Sequence, residues 1–415
     1  MGAAWVIAEP WSGRGRLAAA LGVCPIVAQI LHNRGLDDPG AARRFLRPQL
    51  SELEGPEALP GAVEAAGRLA RAVREGRRIV IYGDYDVDGI AGTAILWRCL
   101  RLAGGQVDFY VPHRLEEGYG LNSEAIEKLA DEQVQVVVTV DCGITAVGAA
   151  ELARRRGVEL IITDHHEAGP DLPQGCTIVH PTALSGGYGN ADLSGAGVAL
   201  KLAWAVGQHF SAGKRVSEEF REFLVDATSL AGLGTIADVV PLVGENRVLA
   251  HFGLMGLRHC RQEGLRALIA ESGLAGRKLE SYHVGFWLGP RLNAAGRMGH
   301  ARLAVELLTR ASGARAREIA RFLAEQNRQR QQVERRILAE ARQMVAETGM
   351  DGDAWRAIVL ARAGWHAGVI GIVASRLVEQ YCRPVVLIAV DGGEIHVVWE
   401  DRGDGSYECE CGECQ

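Results

Sequence analysis

Three carboxylates stand at alternate positions in the run GDYDVDG, at Asp84, Asp86 and Asp88. In an extended chain such residues point to one side, where they repel one another unless a cation neutralises them. Gly83 and Gly89 bracket the run and permit tight backbone turns. A calcium loop of the EF-hand kind needs a Glu at its twelfth position between two helices. Counted from Asp84 that position is Ile95, and a strand-like run precedes the loop, so that alternative fails. Asp141 follows in VTVDCGIT, and Asp164, His165 and His166 lie together in IITDHHEAG. One imidazole of such a pair can bind a metal while a carboxylate or backbone group fixes its tautomer. Mixed carboxylate and imidazole donors, without a thiolate, suit Mn2+ or Mg2+ rather than zinc. Asp238 stands among apolar residues in GLGTIADVVPL. A charge there is costly unless paired or bound to metal, although a helix cap or salt bridge would also account for it.

Several short apolar runs must position these groups. Arg78–Tyr82 (RIVIY), Val134–Val140 (VQVVVTV) and Val158–Thr163 (VELIIT) read as strands, with Thr177–Val179 as a fourth. Helical stretches separate them, which implies βαβ units and a mostly parallel sheet, an α/β fold. Each of the first three strands runs into an acid, and open α/β sheets bind ligands beyond the carboxyl ends of their strands. That convergence is the strongest signal in the chain.

Residues 1–70 read as a helical segment, with one helix over Leu31–Leu46 and an amphipathic one over Gly61–Glu75. The main domain is expected over 71–312. Gly313–Thr348 reads as one long connecting helix without Pro or internal Gly. Over 313–342 it carries eight Arg and four Glu, a local balance of +4. Such a stretch either lines a phosphate-bearing groove or is a solvated helix laced with ion pairs. Trp355–Leu360 and Pro384–Ala389 read as strands around a helix at Gly368–Tyr381, a smaller α/β unit over 349–392 that looks incomplete. Residues 393–415 form a tail without periodic pattern.

The 415 residues suggest two or three domains at roughly 100–200 residues each. The net charge of −6 argues against a broadly basic surface. A metal site concentrates acids, however, and a substrate groove can be basic elsewhere. Of the 45 basic residues 41 are Arg; Arg suits bidentate phosphate contacts, but genomic codon bias is the simpler reading. The nine Cys form no paired framework in the body of the chain, which fits a reducing cytoplasm. No signal peptide is evident in Met1–Val27, and no apolar run of about 18 residues suggests a membrane span.

GDYDVDG, VDCG, TDHH, GTIADVVPL, GPRLNAAGRM and GWHAGVIGIVASRL occur in that order. This set resembles the DHH phosphoesterase superfamily, and within it the exonucleases of single-stranded DNA, over about residues 30–390. The resemblance implies a parallel-sheet DHH domain joined by a long helix to a smaller DHH-associated domain, with the active cleft between them. It implies two Mn2+ or Mg2+ ions held by Asp84, Asp86, Asp88, Asp141, His165 and Asp238, with Asp141 bridging both. Asp86, Asp141, His165 and His166 are the implied catalytic residues, and Asp164 and His166 the supporting or substrate-facing ones. Arg291, Asn293 and Arg297 would bind substrate, Arg297 being the strongest candidate. His366 and the Gly-flanked helix start after it would offer free amides to an anion, although helix–sheet packing also explains those glycines. The implied reaction is stepwise hydrolysis from a 5′ end to 5′-mononucleotides, with a hydroxide attacking phosphorus in line. Single-stranded DNA is the implied partner, and a helicase and a single-strand-binding protein are expected by family.

After Val390 the likeness stops. The family's Ser-Gly-Arg-Ser segment, which holds the 5′ phosphate, and its oligonucleotide-binding barrel are replaced by DGGEIHVVWEDRGDGSYECECGECQ. A truncated gene or a frameshift is the expected cause, with a shortened natural variant as the alternative. Cys409, Cys411 and Cys414 form C-x-C-x-x-C with only His396 as a fourth donor, so a chance tail is favoured over structural zinc. Two other functions stand beside the exonuclease. One is a DHH enzyme acting on short oligonucleotides, cyclic dinucleotides or pyrophosphate; the other is a non-catalytic relative that holds single strands.

Overall fold

The structure is a computed structural model that describes residues 7–114, 117–211, 215–352, 354–391 and 394–401. Five strands form a parallel sheet: β1 (Arg78–Gly83), β2 (Gln106–Tyr110), β3 (Val136–Val140), β4 (Glu159–Thr163) and β5 (Thr177–Val179), in the order β2-β1-β3-β4-β5. β3 is VVVTV and buried at every position, as expected of a strand covered on both faces. The period of two divides its neighbours cleanly. Ile79, Ile81, Val136, Val138 and Ile161 enter one core with the helices Val87–Leu102, Gly195–His209 and Glu218–Ala237. Val80, Tyr82, Val137, Leu160 and Ile162 enter a second core with Ser123–Asp131 and Val147–Arg156.

Two expectations need correction here. The helix expected over Leu31–Leu46 is two helices, Pro25–Asn33 and Pro39–Leu46. Gly35 takes φ 74° between them, and Asp38 caps the second by accepting the Ala41 N–H at 2.7 Å, with Pro39 at the first helical position. β2 was not anticipated; it is a partly exposed edge strand, QVDFY, without alternation.

Gly313–Thr348 is a single 36-residue helix, ended by Gly349 at φ 69°. Ile319 and Leu323 anchor it in the main core. Ile337, Leu338, Ala341 and Val345 anchor it in a separate core with β6 (Ile358–Ala363), β7 (Val385–Asp391), β8 (Glu394–Glu400) and the helix Ala367–Tyr381. Several of its arginines are occupied: Arg315 by Glu306 and Glu318, Arg328 by Glu325, Arg330 by Glu334. The ion-pair reading of this helix is therefore the better one. β7 pairs β6 in parallel and β8 antiparallel, Val385 lying opposite Glu400. Thus part of the expected patternless tail is a paired strand. Cys409, Cys411 and Cys414 lie outside the described residues. Among the described residues the six cysteines are unpaired, and no single helix is long and apolar enough to cross a membrane.

Candidate metal centre at the carboxyl edge of the sheet

The acids at the strand ends continue the ladder by one residue. The Asp84 N–H donates to the Val140 carbonyl at 3.2 Å, the Asp141 N–H to Thr163 at 3.0 Å and the Asp164 N–H to Val179 at 3.2 Å. Three neighbouring strands therefore deliver three carboxyl-bearing residues in a row, at the strand spacing of about 4.8 Å. Asp141 adopts φ 65°, a left-handed conformation that costs on the order of 1–3 kcal/mol for a residue with a Cβ. The turn is held by the Thr139 hydroxyl, which donates to the Cys142 carbonyl at 2.7 Å.

The other acids come from helix ends. Asp84, Asp86 and Asp88 do not continue as one extended run. Asp86 caps the helix Val87–Leu102, accepting the Gly89 N–H at 3.0 Å, so Asp88 lies in the first helical turn. Its two oxygens accept the Gly195 and Ala196 N–H groups at 2.6 and 3.0 Å, at the start of the helix Gly195–His209, where unpaired amides favour an anion. A Cβ on Gly195 would stand 2.5 Å from Asp141 Oδ1, and one on Gly234 would stand 2.2 Å from Asp88 Oδ1. Only glycine permits these approaches. Asp238 caps the carboxyl end of Glu218–Ala237. Asn246 braces both sides: its amide donates to the Asp192 carbonyl, ahead of Gly195, at 2.5 Å and to the Pro241 carbonyl, beyond Asp238, at 3.1 Å.

Within this frame His165 Nε2 lies 3.0 Å from Asp141 Oδ1, 3.6 Å from Asp238 Oδ2 and 3.9 Å from Asp88 Oδ2. Asp84, Asp86 and Asp141 form a second set of donors, with ligand atoms within 4.8 Å of one another. Asp84 Oδ1, Asp141 Oδ1 and His165 Nε2 are buried and make no hydrogen bond. Burial, reinforced by the neighbouring acids, pushes Asp84, Asp88 and Asp141 well above the ordinary carboxylate range, and Asp238 up to about 7. Burial also lowers His165 to about 4, leaving a neutral imidazole with a free lone pair at pH 7. So many acids cannot ionise together without positive charge among them. The orphaned oxygens and nitrogen, all hard or borderline donors, fit divalent ions of the Mg2+ or Mn2+ kind.

His166 behaves differently. Burial opposes its charge, but a 2.7 Å hydrogen bond from Nδ1 to Asp164 and the surrounding acids outweigh that and lift it to about 9. Asp164 also accepts the backbone N–H groups of Ile144, His165 and His166, which leaves it a brace. Beside these groups a cavity of about 200 Å3 is lined by Asp84, Tyr85, Asp86, Arg114, Tyr119, Asn293 and Arg297. Arg114 lies over the Tyr85 ring at 4.9 Å, and the Tyr119 hydroxyl lies 3.2 Å from His166 Nε2. Arg114 and Tyr119 escaped the sequence reading. They lie on the loop after β2, so recognising that strand would have pointed to them.

Arg297 lies against the smaller domain, donating from Nη1 to the Gly368 carbonyl at 3.1 Å. Burial, then Arg114 and Arg330, push its guanidinium down to about 10. His366 caps the helix Ala367–Tyr381, its Nδ1 accepting the Gly368 N–H at 3.1 Å. Asn293 accepts the Val87 N–H at 3.0 Å, steadying the Asp86 turn while lining the cavity. Arg291 is placed elsewhere: it donates to the Trp287 carbonyl at 2.6 Å and has Glu271 and Arg328 as charged neighbours. It is not among the residues that line the cavity.

Residues 78–228 match the DHH family, N-terminal domain. Over 388 residues the chain is 40% identical to the single-stranded-DNA-specific exonuclease RecJ of Bacillus subtilis (strain 168), covering 93% of this chain and 47% of that one. A crystal structure of RecJ in complex with Mn2+ from Thermus thermophilus superposes with a TM-score of 0.80 at 34% identity, covering 96% of this chain and 55% of that one. A crystal structure of exonuclease RecJ bound to manganese superposes with a TM-score of 0.74 at 37% identity, covering 86% of this chain and 85% of that one. The chain spans about half the length of the Bacillus subtilis relative.

Proposed function

Because this chain belongs to the RecJ family of DHH proteins, we propose that it is a divalent-metal-dependent exonuclease that hydrolyses single-stranded DNA from the 5′ end to 5′-mononucleotides. One observation carries the reading: Asp84 Oδ1, Asp141 Oδ1 and His165 Nε2, delivered by three adjacent strands, are buried together without hydrogen-bond partners. In this proposal Asp84, Asp86, Asp88, Asp141, His165 and Asp238 hold two Mn2+ or Mg2+ ions. When bound, such ions supply Lewis acidity toward the phosphate and its attacking water.

The chain's own residues do the rest. The Gly195 and Ala196 amides fix Asp88, and the left-handed turn at Asp141 aims that carboxylate inward. His166, oriented by the 2.7 Å contact of its Nδ1 with Asp164, lies beside the Tyr119 hydroxyl that lines the cavity and offers a hydrogen-bonding nitrogen to the substrate. Arg297 and Arg114 bind the non-bridging phosphate oxygens as charge builds on them. Asn293 keeps the Asp86 turn in register, and His366 orders the smaller domain's side of the cleft. Cytoplasmic localisation is part of the proposal, supported by free cysteines. A helicase and a single-strand-binding protein are proposed partners on family grounds alone.

The test is hydrolysis, with Mn2+, of a 5′-phosphorylated single strand labelled at its 3′ end. Stepwise shortening from the 5′ end, absent in Asp141→Ala, is the expected result. Cleavage of dinucleotides alone replaces this reading with a small-substrate phosphodiesterase. Binding without cleavage of either replaces it with a single-strand-holding protein.

A further inference from the structure

A second feature lies on the segment that leads into the helix Gly289–Arg297, whose Asn293 and Arg297 line the cavity beside the acids. Ser281–His283 forms one helical turn, and Val284–Leu288 continues it as a π-helical turn leading into Gly289–Arg297. Such turns are rare and frequently mark functional sites. The Tyr282 and Phe286 rings stack there with centroids 4.7 Å apart and planes 29° apart. They are 58% and 69% exposed.

The stack is rigidly mounted. Glu280 and His283 close a capping box beneath it, Val284 and Leu288 are buried, and the Trp287 carbonyl accepts from Arg291. Gly285, between the two rings in sequence, faces open space. Arg277 and Lys278 are exposed immediately upstream, and Lys278 is only loosely drawn to Glu280, at 3.9 Å. At its other end the turn meets the metal centre's scaffold. A Cβ on Gly289 would lie 3.8 Å from both Ala237 and Val87, the residues next to Asp238 and Asp86. The cavity beside the acids holds about 200 Å3, less than the roughly 300–1,000 Å3 of a pocket that encloses a drug-sized ligand. A polymer held at the acids must therefore continue over open surface.

We propose that Tyr282 and Phe286 form a base-stacking platform for single-stranded nucleic acid as it leaves the acid cluster, with Arg277 and Lys278 attracting its phosphates. The substrate class rests on the reading in the preceding section. Every base offers a π face, so such a platform grips without sequence preference, and the flanking cations make the grip salt-dependent.

The experiment is fluorescence anisotropy of a roughly 15-nucleotide oligothymidylate in chelator, where no hydrolysis occurs, with thermal melts confirming that each variant folds. Phe286→Ala and Tyr282→Ala are each expected to weaken binding by about tenfold, the loss of one stacked base. Phe286→Trp retains affinity and Phe286→Leu loses it, because stacking needs a ring. Wild-type affinity in Phe286→Ala overturns the proposal. So does full affinity in Phe286→Leu, which marks a merely apolar contact. A wild-type dimer in sedimentation that Phe286→Ala dissociates also overturns it, by making the face a self-association surface. A chain that binds through Phe286 but never cleaves DNA supports the platform and removes the nuclease reading. A chain that cleaves DNA but binds equally well without Phe286 does the reverse.

Discussion

The Asn246 side-chain amide donates to the Pro241 carbonyl at 3.1 Å, three residues beyond Asp238. With its bond to Asp192, it fastens the segment that carries Asp238 to the one that presents Gly195 and Ala196 to Asp88. Removing a buried hydrogen-bonding group costs roughly 1–3 kcal/mol. Asn246→Ala is therefore expected to lower stability by that amount and to weaken Mn2+ binding about tenfold. Calorimetric titration of the folded variant checks this, and excess Mn2+ is expected to restore part of the activity. Unchanged Mn2+ affinity would confine Asn246 to a structural role.

Gly234→Ala sets two effects against each other. In a helix interior Ala is favoured over Gly by about 1 kcal/mol. The added methyl, however, would stand 2.2 Å from Asp88 Oδ1. We expect helix content to hold and hydrolysis to fall at least a hundredfold. Circular dichroism and rate measurements on one preparation separate the two, and an active variant would show that Asp88 can move without consequence.

Metal removal should reverse the usual pH trend. In the metal-free fold Asp238 keeps its proton up to about pH 7, against about 3.9 in an unfolded chain. Between those values the native state binds more protons than the unfolded state, so stability falls as pH rises. Asp84, Asp88 and Asp141 are displaced in the same direction. The melting temperature in chelator is expected to drop from pH 5 to pH 8, with Mn2+ raising it more at pH 8. A flat profile in chelator contradicts this.

Glu334 lies between Arg330 and Arg376, 2.5 Å from each, with 3% of its side chain exposed. Glu334→Ala leaves the largely buried Arg330 uncompensated, a loss of about 3–5 kcal/mol when one partner of a buried pair is removed. Urea denaturation followed by Trp fluorescence should show the melt shifted by that amount. A shift below about 1 kcal/mol would place this pair with ordinary surface ion pairs.

The row formed by Asp84, Asp141 and Asp164 was legible because each acid follows a short β-branched run, a local signal. The hold on Asp88 was not, since Gly195 and Ala196 lie more than a hundred residues away and nothing near Asp88 announces them. Arg114 and Tyr119 were lost with β2, whose half-exposed edge lacks alternation. Arg297 lines the cavity and Arg291 does not, for a helical reason. Six residues along a helix leave two side chains about 120° apart around the axis, on different faces, whereas Asn293 and Arg297, four apart, share one. The helix Leu31–Leu46 was joined across Gly35 and Pro39, two residues whose backbone preferences forbid it. The paired strand β8 was legible in principle, because Ile395–Trp399 (IHVVW) is a β-branched and aromatic run of the kind that reads as a strand.

The helix Gly313–Thr348 has 36 residues, a rod of about 54 Å at 1.5 Å per residue. It is fixed in one core near its start and in another near its end, so it works like the beam of a calliper whose jaws meet at Arg297 and Gly368. Bending it about one degree at mid-length moves the far end by roughly half an ångström, enough to stretch a hydrogen bond beyond use. The contact between Arg297 and Gly368 thus depends on the stiffness of a beam, part of whose surface is clasped by its own arginine–glutamate pairs.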